Sequence, residues 1–177
     1  RYTIPLNSTP FSITALSRVD VTKPIALDDI FFSTSGIKIN NRYNYSQGDK
    51  ILLRGIGTRS AFGVRGTKIY LDGIPLTFAD GQSQLNNLDL SNIANVEIIK
   101  GPSSTLYGNS LGGVIHFTSL ENVNNSLLLK PEFSFGSFGF QKYKLSSSLP
   151  LFDGVLSFSG YSQKSNGFRE HSEAKFY

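Results

Sequence analysis

The strongest constraint on the fold is an alternation of apolar and polar residues in the last third of the chain. From residue 127 to Phe135 the odd positions are apolar, and the even positions from Lys130 onward are charged or small. A second alternating run covers Lys142 to Leu149, and a third run covers Val155 to Lys164. A period of two is typical of a β-strand with one apolar face. The turn sequences Gly136-Ser137-Phe138-Gly139 and Phe152-Asp153-Gly154 separate the runs, so the pattern predicts three consecutive antiparallel strands.

Strands of this kind fit two architectures. A transmembrane β-barrel has an apolar outer face and a polar inner face, and a soluble β-sandwich has an apolar inner face and a polar outer face. Three strands leave unpaired edges that cannot lie in lipid, so a barrel would need many strands beyond residue 177. The chain contains no Met, and we therefore expect the translation start and any signal peptide to lie upstream of residue 1.

Residues 1–120 have a different pattern, in which short strands alternate with single helical turns. Residues 26–33 are predicted to form a short helix, and residues 103–107 one further helical turn. Asp72-Gly73 between apolar runs predicts a hairpin, and Pro75 predicts that its returning arm is an edge strand. The polar segment 121–126 is predicted to link this α+β domain to the strands that follow.

The composition excludes several functional classes. The formal net charge is +4 with scattered Lys and Arg, which does not indicate nucleic-acid binding. Without Cys there is neither a disulfide scaffold nor a thiolate metal site. His116 and His171 have no metal-ligand neighbours in the sequence, and no nucleophile–base or carboxylate pair is evident. The sequence therefore predicts no enzyme, no cofactor and no metal site.

Five short motifs follow one another in a recognisable order. They are Leu53-Arg54-Gly55, Ile69 to Pro75, Asn95 to Pro102, Thr105 to Gly108 and Gly112 to Ile115. In this order and spacing they resemble the plug domain of TonB-dependent outer-membrane receptors over residues 10–119. The resemblance implies an α+β plug with a small mixed β-sheet and short helices in residues 1–120. After a linker at 121–126, residues 127–177 would be the first antiparallel strands of a transmembrane β-barrel.

The same resemblance implies a location and an activity. Receptors of this family lie in the bacterial outer membrane and import a scarce ligand, most often a ferric siderophore, with energy from an inner-membrane TonB complex. The stretches Ser60 to Gly66 and Asp80 to Gln84 resemble more narrowly the receptors for ferric citrate and other iron chelates. The expected partners are therefore outer-membrane lipid, the TonB complex and a ferric chelate. Residues 1–9 do not resemble a TonB box, which we expect upstream.

Three charged residues are implied by the resemblance to seat the plug in the barrel. In the family the positions of Arg54 and Lys100, with Glu97 nearby, pair with carboxylates of the barrel wall. The chain has Lys100 where the family commonly has Arg, and Ser35-Gly36-Ile37 where it commonly has Pro-Gly-Val. The alternative is that Arg54 and Lys100 are solvated strand ends.

Four further residues are candidates for ligand binding. The Gly-rich connections 55–68 and 77–87 are expected to form the outer apices of the plug. Cationic and amide donors suit an anionic, oxygen-rich chelate, and the alternative is that they are ordinary polar loop residues. The candidates in these two connections are Arg59, Arg65, Gln82 and Gln84.

Two other classes of protein remain open from the sequence. One is a surface binding or signalling receptor that does not transport, for which an extra domain would precede residue 1. The other is a soluble polysaccharide-binding β-protein, which would end near Tyr177. The length of the native chain separates the soluble protein from a receptor with a complete barrel.

Overall fold

The computed structural model describes residues 10–17, 27–40, 49–58, 60, 63–85, 88–119, 128–151, 154–167 and 169–176. The chain divides into two compact units, Arg1–Leu120 and Glu121–Tyr177. Within the described ranges no helix has both the length and the apolar character needed to cross a membrane.

The described residues of the first unit form nine short strands and two short helices, as the alternation of brief apolar runs and Gly-rich turns predicts. Its elements in chain order are β1 (Ser12–Ser17), α1 (Leu27–Phe31), β2 (Ile37–Asn40), β3 (Lys50–Leu53), β4 (Val64–Arg65), β5 (Thr67–Leu71), β6 (Ile74–Pro75), β7 (Gln82–Ser83), β8 (Ile93–Lys100), α2 (Ser104–Tyr107) and β9 (Gly113–Ser119). A 3₁₀ turn, Leu90–Asn92, leads into β8, and the Asp89 carboxylate accepts a hydrogen bond from the backbone N–H of Ser91 at its start.

The main sheet of this unit has the strand order β1-β8-β9-β5-β6. The β5–β9 pair is parallel, whereas β1–β8, β8–β9 and β5–β6 are antiparallel. The sheet is therefore mixed, which confirms the predicted α+β class with short helices. Pro75 lies in the edge strand β6, where its missing N–H removes no hydrogen bond from the ladder.

The core lies on one face of this sheet. Alternate residues of β8 and β9, such as Ile98 and Ile115, are fully buried together with Ile69 of β5. Helix α1 and the separate β2–β3 hairpin belong to the same buried cluster, and the Phe31 ring meets the Phe117 ring edge-on at 6.4 Å between centroids. The first unit is thus a small two-layer structure, and the inner face of its sheet carries every second residue of the strands.

Two tight turns place exposed side chains at hairpin tips. Arg54-Gly55 and Asp72-Gly73 both have positive φ at each residue, the geometry of a type I′ turn. At Arg54 the turn is closed by hydrogen bonds between Leu53 and Ile56 of 3.0 and 3.1 Å. The Asp72 carboxylate accepts a hydrogen bond of 2.8 Å from the backbone N–H of Ser119, so this turn also secures the end of β9.

The stability of the first unit is expected to depend on pH through Asp49. Burial, and secondarily the charge of Asp28, raises the pKa of Asp49 to about 6, although a hydrogen bond from the Leu27 backbone opposes the shift. Between pH 4 and 6 the folded chain keeps a proton that the unfolded chain releases, so stability falls as the pH rises. Asp49→Asn should therefore stabilise the first unit by about 1–2 kcal/mol at pH 8, after allowance for partial exposure. Urea unfolding at pH 4 and pH 8 checks this.

A matched variant separates the two causes of this shift. Asp28→Asn removes only the charge repulsion and leaves Asp49 buried, so its gain at pH 8 should be smaller. Equal midpoints for wild type and Asp49→Asn at both pH values would contradict the prediction.

The second unit is one antiparallel sheet in the order β10-β11-β12-β13. The strands are β10 (Leu128–Gly136), β11 (Phe140–Leu151), β12 (Gly154–Ser165) and β13 (Ala174–Phe176). The first three correspond to the three predicted runs, and the turn between β10 and β11 has positive φ at Phe138 and Gly139. Strand β13 was not predicted, because three residues are too few for alternation to be recognised. The predicted turn residues Phe152 and Asp153 lie outside the described residues.

Cross-strand register makes one face of this sheet continuously apolar. Phe133 lies opposite Tyr143, Pro131 opposite Leu145, and Leu149 opposite Leu156. Nearly all the large side chains on this face are exposed, including Phe133 and Phe158 at 62% and 67%. The alternate positions form a polar face, where Lys142 Nζ lies 4.7 Å from the centroid of the Tyr161 ring.

Candidate functional site

Arg54 and Lys100, two of the three residues predicted to pair the plug with the barrel, converge in space and are called the cation pair. Arg54 stands at the tip of the turn after β3, and its backbone N–H donates to the Gly36 carbonyl at 2.8 Å. A β-carbon at Gly36 would lie 3.7 Å from Arg54 Cγ and 3.9 Å from Lys100 Cδ. A β-carbon at Gly101 would lie 3.7 Å from Arg54 Nη1. Both side chains therefore pass over the same glycine.

The electrostatics of the cation pair are unfavourable within the described part of the chain. Lys100 is only 8% exposed, and burial followed by the positive charge of Arg54 lowers the pKa of Lys100. None of the described carboxylates forms a salt bridge with either cation. Because Lys100 is buried, its charge is costly unless an anion compensates it.

Glu97 does not join the cation pair. It lies on β8 three residues before Lys100, so the two side chains project from opposite faces of the strand. Glu97 is exposed and lies between Ala15 of β1 and His116 of β9. The structure brings together two of the three residues named for the seat and places the third on the other face of the sheet.

Three of the predicted ligand residues lie on one surface, called the donor face: Arg65 and Gln84, which are exposed, and Gln82, which is half-buried. Strands β4 and β7 pair so that Arg65 lies directly opposite Gln82. Gln84 is two residues beyond Gln82, and its Cγ would lie 3.9 Å from a β-carbon at Gly63. Together they present a guanidinium and two carboxamides. Arg59, the fourth predicted residue, lies outside the described residues.

Buried polar contacts beneath the donor face keep it in register. Val64 and Ser83, the alternate pair of the same two strands, are fully buried. Ser83 Oγ and Thr77 Oγ1 are 2.7 Å apart, and Thr77 Oγ1 also accepts a hydrogen bond from the backbone N–H of Ile69 at 2.9 Å. A side chain at Gly63 would come within 2.6 Å of the Ser83 carbonyl oxygen. The donors therefore stand on a closely packed base.

A tight turn borders the donor face. The Phe78 N–H donates to the Gln82 carbonyl at 2.8 Å, and the Gly81 N–H donates to the Phe78 carbonyl at 3.0 Å. The Asp80 carboxylate accepts a hydrogen bond from the Gln82 N–H at 2.9 Å, so Asp80 is a turn residue, as its position before Gly81 predicts. A side chain at Gly81 would collide with the carboxamide of Asn109. This contact between two distant loops has no signal in the sequence.

His116 belongs to an aromatic stack on the polar side of the main sheet. Its ring stacks on Tyr70 at 4.8 Å between centroids and meets Tyr107 edge-on at 5.7 Å. Tyr107 comes from α2, so the stack attaches this helix to β5 and β9. These contacts give His116 a structural role in the first unit.

Comparison with known proteins decides the family. The model of the TonB-dependent receptor plug domain matches residues 5–114. The chain belongs to this family. Residues 5–114 are thus a TonB-dependent receptor plug. This confirms the resemblance seen in the motifs and places the protein in the bacterial outer membrane. The relatives found are transporters and receptors and not enzymes.

Individual relatives extend the match beyond the plug. The vitamin B12 transporter BtuB of Vibrio vulnificus is 25% identical over 174 residues, 95% of this chain and 27% of that protein. The ferric yersiniabactin uptake receptor FyuA of Yersinia pestis has a TM-score of 0.64 at 25% identity, over 88% of this chain and 24% of that one. The pyoverdine receptor FpvA of Pseudomonas aeruginosa PAO1 has a TM-score of 0.70 at 24% identity, over 94% of this chain and 24% of that one.

These comparisons have two consequences. The chain spans about a quarter of the length of the relatives it matches. Because the structural matches cover most of the chain, they also support the second unit as the first strands of a TonB-dependent receptor barrel. The assignment of residues 1–120, 121–126 and 127–177 to plug, linker and barrel remains a prediction, as do the roles of the individual site residues.

Proposed function

We propose that the protein imports a ferric chelate across the outer membrane, with the plug gating the barrel and an inner-membrane TonB complex supplying the energy. The observation that carries this proposal is the donor face, where the exposed Arg65 and Gln84 and the half-buried Gln82 lie on one surface. Charged and amide N–H donors match the anionic oxygens of a metal chelate. We include Arg59 in the proposed ligand site on its sequence position alone.

The test is ligand binding by the full-length receptor with the donors removed. Replacement of Arg59, Arg65, Gln82 and Gln84 by Ala should weaken binding of ferric citrate or a ferric catecholate by about 10- to 100-fold, because one or two charge-assisted hydrogen bonds are lost. Lys38→Ala removes an exposed cation from β2 and is the matched control. Unchanged affinity in the fourfold variant would remove the donor face from the ligand site.

A second candidate cargo is vitamin B12. The match to the vitamin B12 transporter of V. vulnificus runs along 95% of this chain, and carboxamide donors are compatible with an amide-rich ligand as well as with an oxygen-rich one. Import of radiolabelled vitamin B12, compared with import of radio-iron as ferric citrate, separates the two. Binding without import of either would instead favour the surface binding or signalling receptor.

For the cation pair we propose pairing with carboxylates of the barrel wall. Arg54 adopts φ +49, a region that a non-glycine residue occupies at a cost of roughly 1–3 kcal/mol and that is often retained for function. Lys100 is nearly buried beside it. Wall carboxylates would offset the burial and, secondarily, the repulsion from Arg54 that lower the pKa of Lys100, and would hold the plug in its place.

Arg54→Ala is expected to loosen the plug more than Lys100→Ala. A guanidinium can bind a carboxylate through two parallel hydrogen bonds, whereas an ammonium acts as a point charge. We expect losses of about 3 kcal/mol and about 1 kcal/mol respectively, measured by proteolysis of the plug in urea in the full-length receptor. Arg54→Lys should retain only part of the stability, and Lys100→Arg should be neutral or stabilising. A greater loss for Lys100→Ala would contradict this assignment.

A further inference from the structure

Two large apolar side chains border the donor face and remain exposed. Phe78 is 61% exposed and Leu111 is 59% exposed. They come from different loops, and neither belongs to the buried core of the first unit. Their position beside Arg65, Gln82 and Gln84 follows from the hydrogen bonds of the two loops.

Phe78 is fixed to the donor face by the turn that ends at Gln82. Its N–H donates to the Gln82 carbonyl at 2.8 Å, and its own carbonyl accepts from the Gly81 N–H at 3.0 Å. The Asp80 carboxylate closes the same turn through the Gln82 N–H. Phe78 is therefore held at a defined place next to the donors.

Leu111 is fixed to the same surface from the other side. The N–H of the following residue, Gly112, donates to the Gly66 carbonyl at 2.7 Å, and Gly66 follows Arg65 directly. Asn109 of the same loop lies against Gly81. Ser110, which follows Asn109, is fully buried. The loop from Asn109 to Gly112 is therefore anchored, and Leu111 is left on the surface.

Anchored apolar side chains around a few convergent polar groups are the usual composition of a small-ligand site. A purely hydrophilic chelate would leave Phe78 and Leu111 in water, whereas a ligand with an apolar part would cover them. We propose that Phe78 and Leu111 form an apolar rim of the ligand site, and that the ligand is amphiphilic, with an oxygen- or amide-rich centre and an apolar or aromatic periphery. This inference rests on the proposed role of the donor face.

The structure also supplies a matched control for these two residues. Ile74 is 68% exposed but lies in the hairpin after Asp72-Gly73. The strand then returns along β5, where the Leu76 N–H donates to the Ile69 carbonyl, before it reaches Phe78. Ile74 therefore lies at the opposite end of β5 from the donor face, and Ile74→Ser is the same kind of change away from it.

The experiment measures binding of three probes to the full-length receptor in detergent: ferric citrate, the ferric complex of 2,3-dihydroxybenzoate, and vitamin B12. We expect wild type to bind one of the two probes with an apolar part more tightly than ferric citrate. Phe78→Ser and Leu111→Ser should each weaken that binding about tenfold, the effect of exposing roughly one apolar side chain. Ile74→Ser should change it less than twofold, and ferric citrate binding should not depend on any of the three variants.

The possible results separate this inference from the proposed function. Tight ferric citrate binding that is unaffected by Phe78→Ser and Leu111→Ser, with no preference for the other iron probe, would overturn the rim and retain ferric chelate import. Rim-dependent binding of vitamin B12 alone would retain the rim and overturn ferric chelate as the cargo. A fall in thermal stability with equal losses for every probe would mean that the two side chains pack against the barrel, which overturns the rim. Failure to bind any probe would overturn both.

Discussion

Gly113→Ala is expected to unfold the plug. A β-carbon at Gly113 would overlap the carbonyl oxygen of Ile99 and lie 2.7 Å from Leu53 Cδ2, and the residue has φ +136. Gly113 pairs with Lys100 on one side and with Thr67 on the other, so the strands cannot separate locally to make room. We expect a loss of about 4 kcal/mol, at the upper end for a single substitution.

The measurement is urea-dependent proteolysis of the plug in the full-length receptor. Gly108→Ala is the control, because Gly108 also has positive φ, at +73, but a β-carbon there meets no atom within 4 Å. It should cost about 1 kcal/mol, from backbone strain alone. Equal losses in the two variants would show that backbone conformation, and not close packing of β8 and β9, explains the glycine.

Phe158→Arg is expected to prevent assembly of the barrel in the outer membrane. Phe158 lies on the continuous apolar face of the second unit, opposite Ser147 and two residues beyond Leu156. In an outer-membrane protein that face is expected to contact lipid, where Arg costs about 2–4 kcal/mol near the midplane. Outer-membrane fractions should contain less receptor, and the band of folded, heat-modifiable barrel should be weaker on a gel.

The control for this substitution is its neighbour in the same strand. Ser159 lies opposite Ser146 on the polar face, so Ser159→Arg introduces the same charge one residue away but on the other side of the sheet. Assembly of Ser159→Arg should remain close to wild type. If Phe158→Arg assembles as well as Ser159→Arg does, the apolar face does not contact lipid.

Local features of the fold were predictable because their cause is local. The turn at Asp72-Gly73 forms because Gly at the second position accepts positive φ, and the strand after it is at the sheet edge because of Pro75. Strands β10 to β12 follow directly from alternation. The parallel pairing of β5 with β9 was not predictable from such signals, since it joins segments more than forty residues apart.

The candidate sites were predictable in composition but not in geometry. Arg65, Gln82 and Gln84 are polar residues in Gly-rich connections, and no local rule states that β4 and β7 place Arg65 opposite Gln82. Arg54 and Lys100 end different strands, and only the packing around Gly36 brings them together. Glu97 belongs to the same sequence motif as Lys100 but projects from the other face of β8.

The sequence alone determined the secondary-structure periods, the turn positions and, through the order of five motifs, the family. These depend on backbone preferences and side-chain polarity, which act over a few residues. The tertiary structure alone decided that the side chains of the cation pair both pass over Gly36, that three donors lie on one surface, and that Phe78 and Leu111 lie beside these donors. Each of these arrangements depends on contacts between segments far apart in the chain, whose register is set by how the whole core packs.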